Sequence, residues 1–182
     1  MKNLKTNKTF YIWAAASLIC MTAIFLFSAK TAEESGELSG SLTRGIFEPF
    51  SDIISIVNTA DIIDTLEVII RKSAHFIIFF ILGVCVTNTV RQITKNKRRI
   101  FWISLGWCSF YGATDEFHQY FVPGRACMWQ DWLIDTAGAL LGVIAVFFII
   151  RIIDRAKRKK KNKENDKQKS EIKKDESYIL YK

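Results

Sequence analysis

Histidine is scarce in this chain: His75 and His118 are the only two among 182 residues. There is no HExxH run and no CxxC pair, so neither a zincin-type protease nor a thiolate zinc module is encoded. Four cysteines would suit a disulfide framework in a small secreted domain. Here Cys20, Cys85 and Cys108 fall inside apolar runs, where a thiol behaves as a small hydrophobe. Only Cys127 lies in a polar loop, so no disulfide is expected. An activated nucleophile is also missing, Ser73 and Cys127 being weak candidates. A divalent ion would need His75, Asp115, Glu116 or His118 to converge. No ligand motif marks such a set, so no metal and no other cofactor is expected. Finally, no polar segment is large enough to fold as a soluble domain, so the net charge of +8 does not imply nucleic acid.

What is present is long apolar runs alternating with charge, within a length that suits one domain. Phe10 to Phe27 is uncharged over 18 residues, enough for a membrane span. It follows a basic start, as a signal peptide would, but it is longer than a usual signal core and Phe27-Ser28-Ala29 is a poor cleavage site. An uncleaved anchor is therefore expected. Further spans are predicted at 74–90, 100–113 and 132–150. The third is short: 14 uncharged residues reach about 21 Å against a hydrocarbon core of about 30 Å. It crosses only if Asp115 and Glu116 are partly submerged.

Charge orients these spans. Residues 91–99 hold five basic residues and no acid, and residues 151–182 hold 13 Lys/Arg against 6 Asp/Glu. Residues 28–73 hold 8 acids against 4 bases. Basic segments stay in the cytoplasm, and a basic tail after a span suits an anionic inner leaflet. The expectation is an all-α integral membrane protein with four transmembrane helices and both termini inside. Its parts are a cytoplasmic N-tail (1–9), a membrane domain (10–150) and a basic, disordered cytoplasmic tail (151–182), whose composition offers little apolar surface to fold around. Between Phe47 and Ile70 the apolar residues recur at helical spacing, which predicts an amphipathic segment lying on the outer face before the second span.

Counting from the cytoplasmic ends reveals a layer. His75 lies 15 residues from Val90, Asp115 lies 15 from Ile100, and Asp135 lies 15 from Ile150. All three should sit about 22 Å up, just below the outer boundary. Residues three and four apart share a helix face. Lys72 therefore joins His75, Gln119 and His118 join Asp115, and Asp131 joins Asp135. Small residues continue these faces at Gly83, Gly112, Gly138 and Gly142, which allows close helix packing. Pro123 and Gly124 should turn the loop so that Arg125 returns over the cluster. Pairs such as Arg125 with Asp131, or Lys72 with Asp115, could hold the bundle together without any ligand. Intramembrane ionisable groups nevertheless point to function first.

At these residues the chain resembles the VanZ-like family of bacterial membrane proteins. The shared pattern is Lys72-x-x-His75, Asp115-Glu116-x-x-Gln119, Pro123-Gly124-Arg125, and Asp131 with Asp135, Gly138 and Gly142. Phe27-Ser28 followed by Ala32-Glu33-Glu34-Ser35 matches the stretch after the family's first span. Lys30 stands where Gln is common and Asp135 where Asn is frequent. The resemblance implies a four-span protein of the bacterial cytoplasmic membrane, and its namesake is associated with low-level resistance to teicoplanin.

Together these readings lead to a polar pocket open to the outer leaflet that binds or modifies a lipid or lipid-linked envelope amphiphile. Lys72, Gln119, Arg125, Asp131 and Asp135 are the expected binding residues. Glu116, Asp115 and His75 are the candidates for acid–base chemistry, with the enzymatic character left open. The rivals are a structural or interaction protein and a small transporter, the latter requiring an oligomer because four spans are few.

Overall fold

The computed structural model describes residues 8–31, single positions between 33 and 45, and residues 59–180. Among the described residues there are four long helices and no strand: α1 (Lys8–Ser28), α2 (Thr59–Ile93), α3 (Lys97–Gln119) and α4 (Trp129–Leu180). Three of them contain stretches long and apolar enough to cross a membrane, namely Lys8–Ser28, Val68–Ile93 and Trp129–Asn165. The third expected span corresponds to α3, whose 23 residues extend about 34 Å. Asp115 and Glu116 lie in its last two turns.

Two compact units divide the chain, Met1–Ile144 and Ala145–Lys182. In the first, α1 and α3 each bury one narrow stripe and leave much of the rest of their surface apolar and exposed. α1 buries Ser17, Ile24 and Ser28, while Ile12, Leu18, Ile19, Leu26 and Phe27 face outward. A helix that is apolar on every side belongs in a membrane or a large core. α3 buries Ile100, Ser104, Cys108, Gly112 and Asp115, a spacing of about four that follows one face.

α2 and α4 approach each other closely. A Cβ added to Gly138 would strike the carbonyl oxygen of Phe76, and one on Gly142 would strike that of Phe80. In the other direction, a Cβ on Gly83 would strike the Ala139 carbonyl. The contacts of Gly138 with Phe76 and of Gly142 with Phe80 rise together along both helices, so α2 and α4 run parallel. α3 joins them through Trp132, whose Nε1 donates to the Ser109 carbonyl at 3.0 Å, and through a 3.2 Å Ser109–Thr136 hydroxyl contact. α1 is fixed to α3 by the Tyr111 hydroxyl, which donates to the Met21 carbonyl at 2.6 Å. Polar links of this kind take the place of a hydrophobic driving force inside lipid.

Two expectations change here. Residues 59–70 do not form a separate surface helix: they are the first turns of α2, which is 35 residues long and extends about 52 Å. The apolar part begins at Val68, so the acidic turns before it project beyond the span rather than folding back. Residues 47–58 of that predicted segment lie outside the described residues. The second change concerns the tail, expected to be disordered. In the second unit α4 stays helical to Leu180, and every side chain from Arg151 to Asn165 is exposed. Lys, Arg and Glu are good helix formers, so local propensity extends the helix without a face to bury.

Candidate functional site

Each helix delivers its polar groups to one end of the first unit. Asn96 starts α3 as an N-cap, its side chain accepting from Arg98 N at 3.0 Å and Arg99 N at 3.3 Å. About five turns later Asp115 and Glu116 emerge on the buried stripe, 3% and 4% exposed. The chain then turns back through Val122-Pro123-Gly124-Arg125. Arg125 N donates to the Val122 carbonyl at 3.1 Å and Gly124 has φ 76°, the pattern of a type II turn with Pro and Gly in their preferred places. Glu116 anchors the return strand of this loop by accepting from Met128 N at 3.0 Å.

Asp115 is held from two sides. Ser28 Oγ donates to its Oδ2 at 2.7 Å and Gln119 Nε2 donates to the same oxygen at 3.0 Å. Gln119 Oε1 in turn accepts from Arg125 Nη1 at 3.3 Å, so the loop arginine is coupled to the buried aspartate. Lys72 pairs with Asp131 rather than with Asp115. The tight α2–α4 packing brings the first turn of α4 beside Lys72, whereas Asp115 sits one layer deeper. That pair is 34% and 30% exposed, so its net contribution is about 0–1 kcal/mol.

His75, Asp115 and Asp135 come together as the depth count predicts, with one ligand atom from each lying within 4.8 Å of the others. His75 Nδ1 is 3.7 Å from Asp135 Oδ1, too long for a hydrogen bond. Asp135 is fully buried, yet neither of its oxygens has a hydrogen-bond partner. His118, the other histidine, is not one of this set and stacks on Phe25 of α1, with ring centroids 4.6 Å apart.

Above these groups a cavity of about 330 Å³ opens. Arg71, Lys72 and Arg125 supply its cations, and Glu116, Asp131 and Asp135 its acids. His75 and Gln119 add polar edges, while Val68, Met128 and Ile134 add apolar wall. Burial, and after it the neighbouring Arg71 charge, push the Arg125 guanidinium below its ordinary pKa. Two guanidinium groups therefore share one small space, and an anion between them would relieve both the desolvation and the repulsion. A second cavity of about 650 Å³, between α1, α2 and α3, carries no ionisable side chain.

All eight residues expected at the site lie in or directly beneath the first cavity. Three contributors were not anticipated. Arg71 is one helical turn from His75 and so faces the same way, a signal hidden by its position outside the predicted span. Ser28 completes a stripe with Ser17 and Ile24 at spacings of seven and four. The Met128 amide has no side-chain signature at all.

No curated protein and no solved structure gives a significant match to the chain. A family model described as VanZ/LLP1 matches residues 13–151, from within α1 to the start of the charged part of α4. That range takes in every residue of the cavity, and the chain belongs to the VanZ/LLP1 family.

Proposed function

We propose that this protein binds, and acts on or positions, the anionic headgroup of a cell-envelope amphiphile from the outer leaflet. The observation that carries this reading is the mixed cavity: three cations, three acids and an apolar wall within about 330 Å³, a volume at the small-ligand end of the usual range. Arg71 and Arg125 suit planar recognition of a phosphate or carboxylate, and Lys72 supplies a point charge. The apolar wall formed by Val68, Met128 and Ile134 suits the first carbons of an acyl or isoprenoid chain. A lipoglycopeptide of the teicoplanin type has the same division into polar head and apolar chain, which is how such a site would bear on glycopeptide resistance.

The test is mass spectrometry of membrane lipids and wall precursors from cells with the gene, without it, and with Arg125→Ala. A headgroup-bearing species should change on deletion, and Arg125→Ala should reproduce that change at normal protein abundance. If Arg125→Ala and Lys72→Ala both behave as wild type at normal abundance, the headgroup reading is wrong. Glu116→Gln separates binding from acid–base action. The amide oxygen can still accept from Met128 N–H, so the loop stays in place while proton transfer is lost.

One observation favours a second, structural reading. Lys72 with Asp131, Ser28 and Gln119 with Asp115, and Met128 N–H with Glu116 already satisfy much of the layer. In that reading Lys72→Met and Arg125→Met lower abundance and leave envelope composition unchanged per molecule of protein.

A further inference from the structure

We infer that His75, Asp115 and Asp135 form a binding site for a divalent transition-metal ion, Zn²⁺ or Mn²⁺, beneath the headgroup cavity. The inference stands apart from the headgroup reading, because it concerns a site that can be loaded with no amphiphile present.

Three observations carry it. First, three different helices bring an imidazole nitrogen and two carboxylates to within 4.8 Å of one another. Ligand atoms around a tetrahedral zinc ion stand about 3.4 Å apart, so small rotations of the side chains complete the set. Second, Asp135 is 0% exposed and both its oxygens lack a hydrogen-bond partner. A buried carboxylate left in that condition is costly, and the histidine beside it at 3.7 Å is outside hydrogen-bond reach. A metal ion at the centre of the set would meet both groups. Third, Asp115 is already oriented as a ligand is. Ser28 and Gln119 both bond its Oδ2, the kind of support that ligating carboxylates receive from their neighbours.

The donor set decides the class of ion. One imidazole with two carboxylates is too hard for Cu⁺ and too nitrogen-rich for a dedicated Ca²⁺ cage. Three protein ligands also leave a coordination position open, as in catalytic rather than structural zinc sites. His75 and Asp135 both line the cavity, so the open position faces the space where a headgroup oxygen would sit. Two carboxylates this close repel when both are ionised, and a dication neutralises them together.

The full chain, purified without a polyhistidine tag and stripped with chelator, is titrated with Zn²⁺ and with Mn²⁺ in detergent or nanodiscs. Saturable binding is expected at one ion per chain. Asp135→Asn and His75→Gln should each weaken it at least tenfold, about the lower end of what loss of a supporting residue alone costs. Asp154→Asn, in the exposed part of α4, controls for loose binding and should change nothing. A second readout needs no variant: Zn²⁺ should slow diethylpyrocarbonate modification of His75 while leaving His118 unaffected, both read by peptide mass spectrometry. Absence of saturable binding overturns the inference. So does binding that survives both substitutions, or equal protection of the two histidines.

Discussion

Gly138 and Gly142 decide how close α2 and α4 can come. The obstacles to a side chain at these positions are backbone oxygens of Phe76 and Phe80, which cannot rotate away as a flexible side chain would. Gly138→Ala and Gly142→Ala should therefore force the helices apart, at a cost of about 1–3 kcal/mol each. Thermal unfolding in detergent would show a lower midpoint for both. Gly106 is the internal control, because nothing lies within 4 Å of a Cβ placed there. Gly106→Ala should be neutral or slightly stabilising, since alanine is the better helix former by about 0.5–1 kcal/mol. Equal losses at all three positions would mean that close α2–α4 contact is not what these glycines serve. A spreading of the two helices would also separate Lys72 from Asp131 and His75 from Asp135, so the packing residues and the site residues are linked through the same crossing.

At the scale of the helices, α3 and the loop after it behave as one device. Asp115 and Glu116 lie on the buried stripe of α3, and Glu116 fixes the returning loop through Met128 N–H. Arg125 is thereby held over the cavity, bonded to Gln119 one turn after Asp115. Replacing Gly124 by Ala, where φ is 76°, should loosen this turn at a cost of about 1 kcal/mol or more. Limited proteolysis across 120–128 would report faster cleavage than in wild type. α4 presents the opposite case. From Arg151 to Asn165 every side chain is exposed, so deletion of residues 157–182 should leave metal binding and the cavity unchanged. Loss of saturable Zn²⁺ binding in that truncation would show that the charged end of α4 supports the site after all.

For the whole molecule, direction across the membrane has a direct physical test. The basic segments at 91–99 and 151–182 argue for an inner location, which would place the 120–128 loop outside. Cys127 in that loop is exposed, while Cys85 and Cys108 are buried and Cys20 is partly so. A membrane-impermeant maleimide applied to intact cells should label Cys127, and Cys127→Ser should abolish the signal. Labelling only after lysis would invert the orientation and with it the outer-leaflet proposal.

Much of this architecture was legible in the order of residues. Apolar runs bounded by charge marked the helices, because in lipid every backbone group must be satisfied within its own segment. Counting 15 residues from each inner end placed His75, Asp115 and Asp135 in one layer, because a helix rises uniformly and converts sequence distance into depth. The small residues on the same faces marked close helix packing, and the folded bundle made α2 and α4 the pair that uses Gly83, Gly138 and Gly142 for it. What the order of residues left undecided was partnership within the layer. Depth is a one-dimensional coordinate, whereas a salt bridge depends on azimuth and on which helices touch. Only the folded bundle assigned Lys72 to Asp131, Arg125 to Gln119 and Ser28 to Asp115. Only there does Asp135 emerge as a buried carboxylate with no hydrogen-bond partner, since hydrogen bonding depends on three-dimensional surroundings.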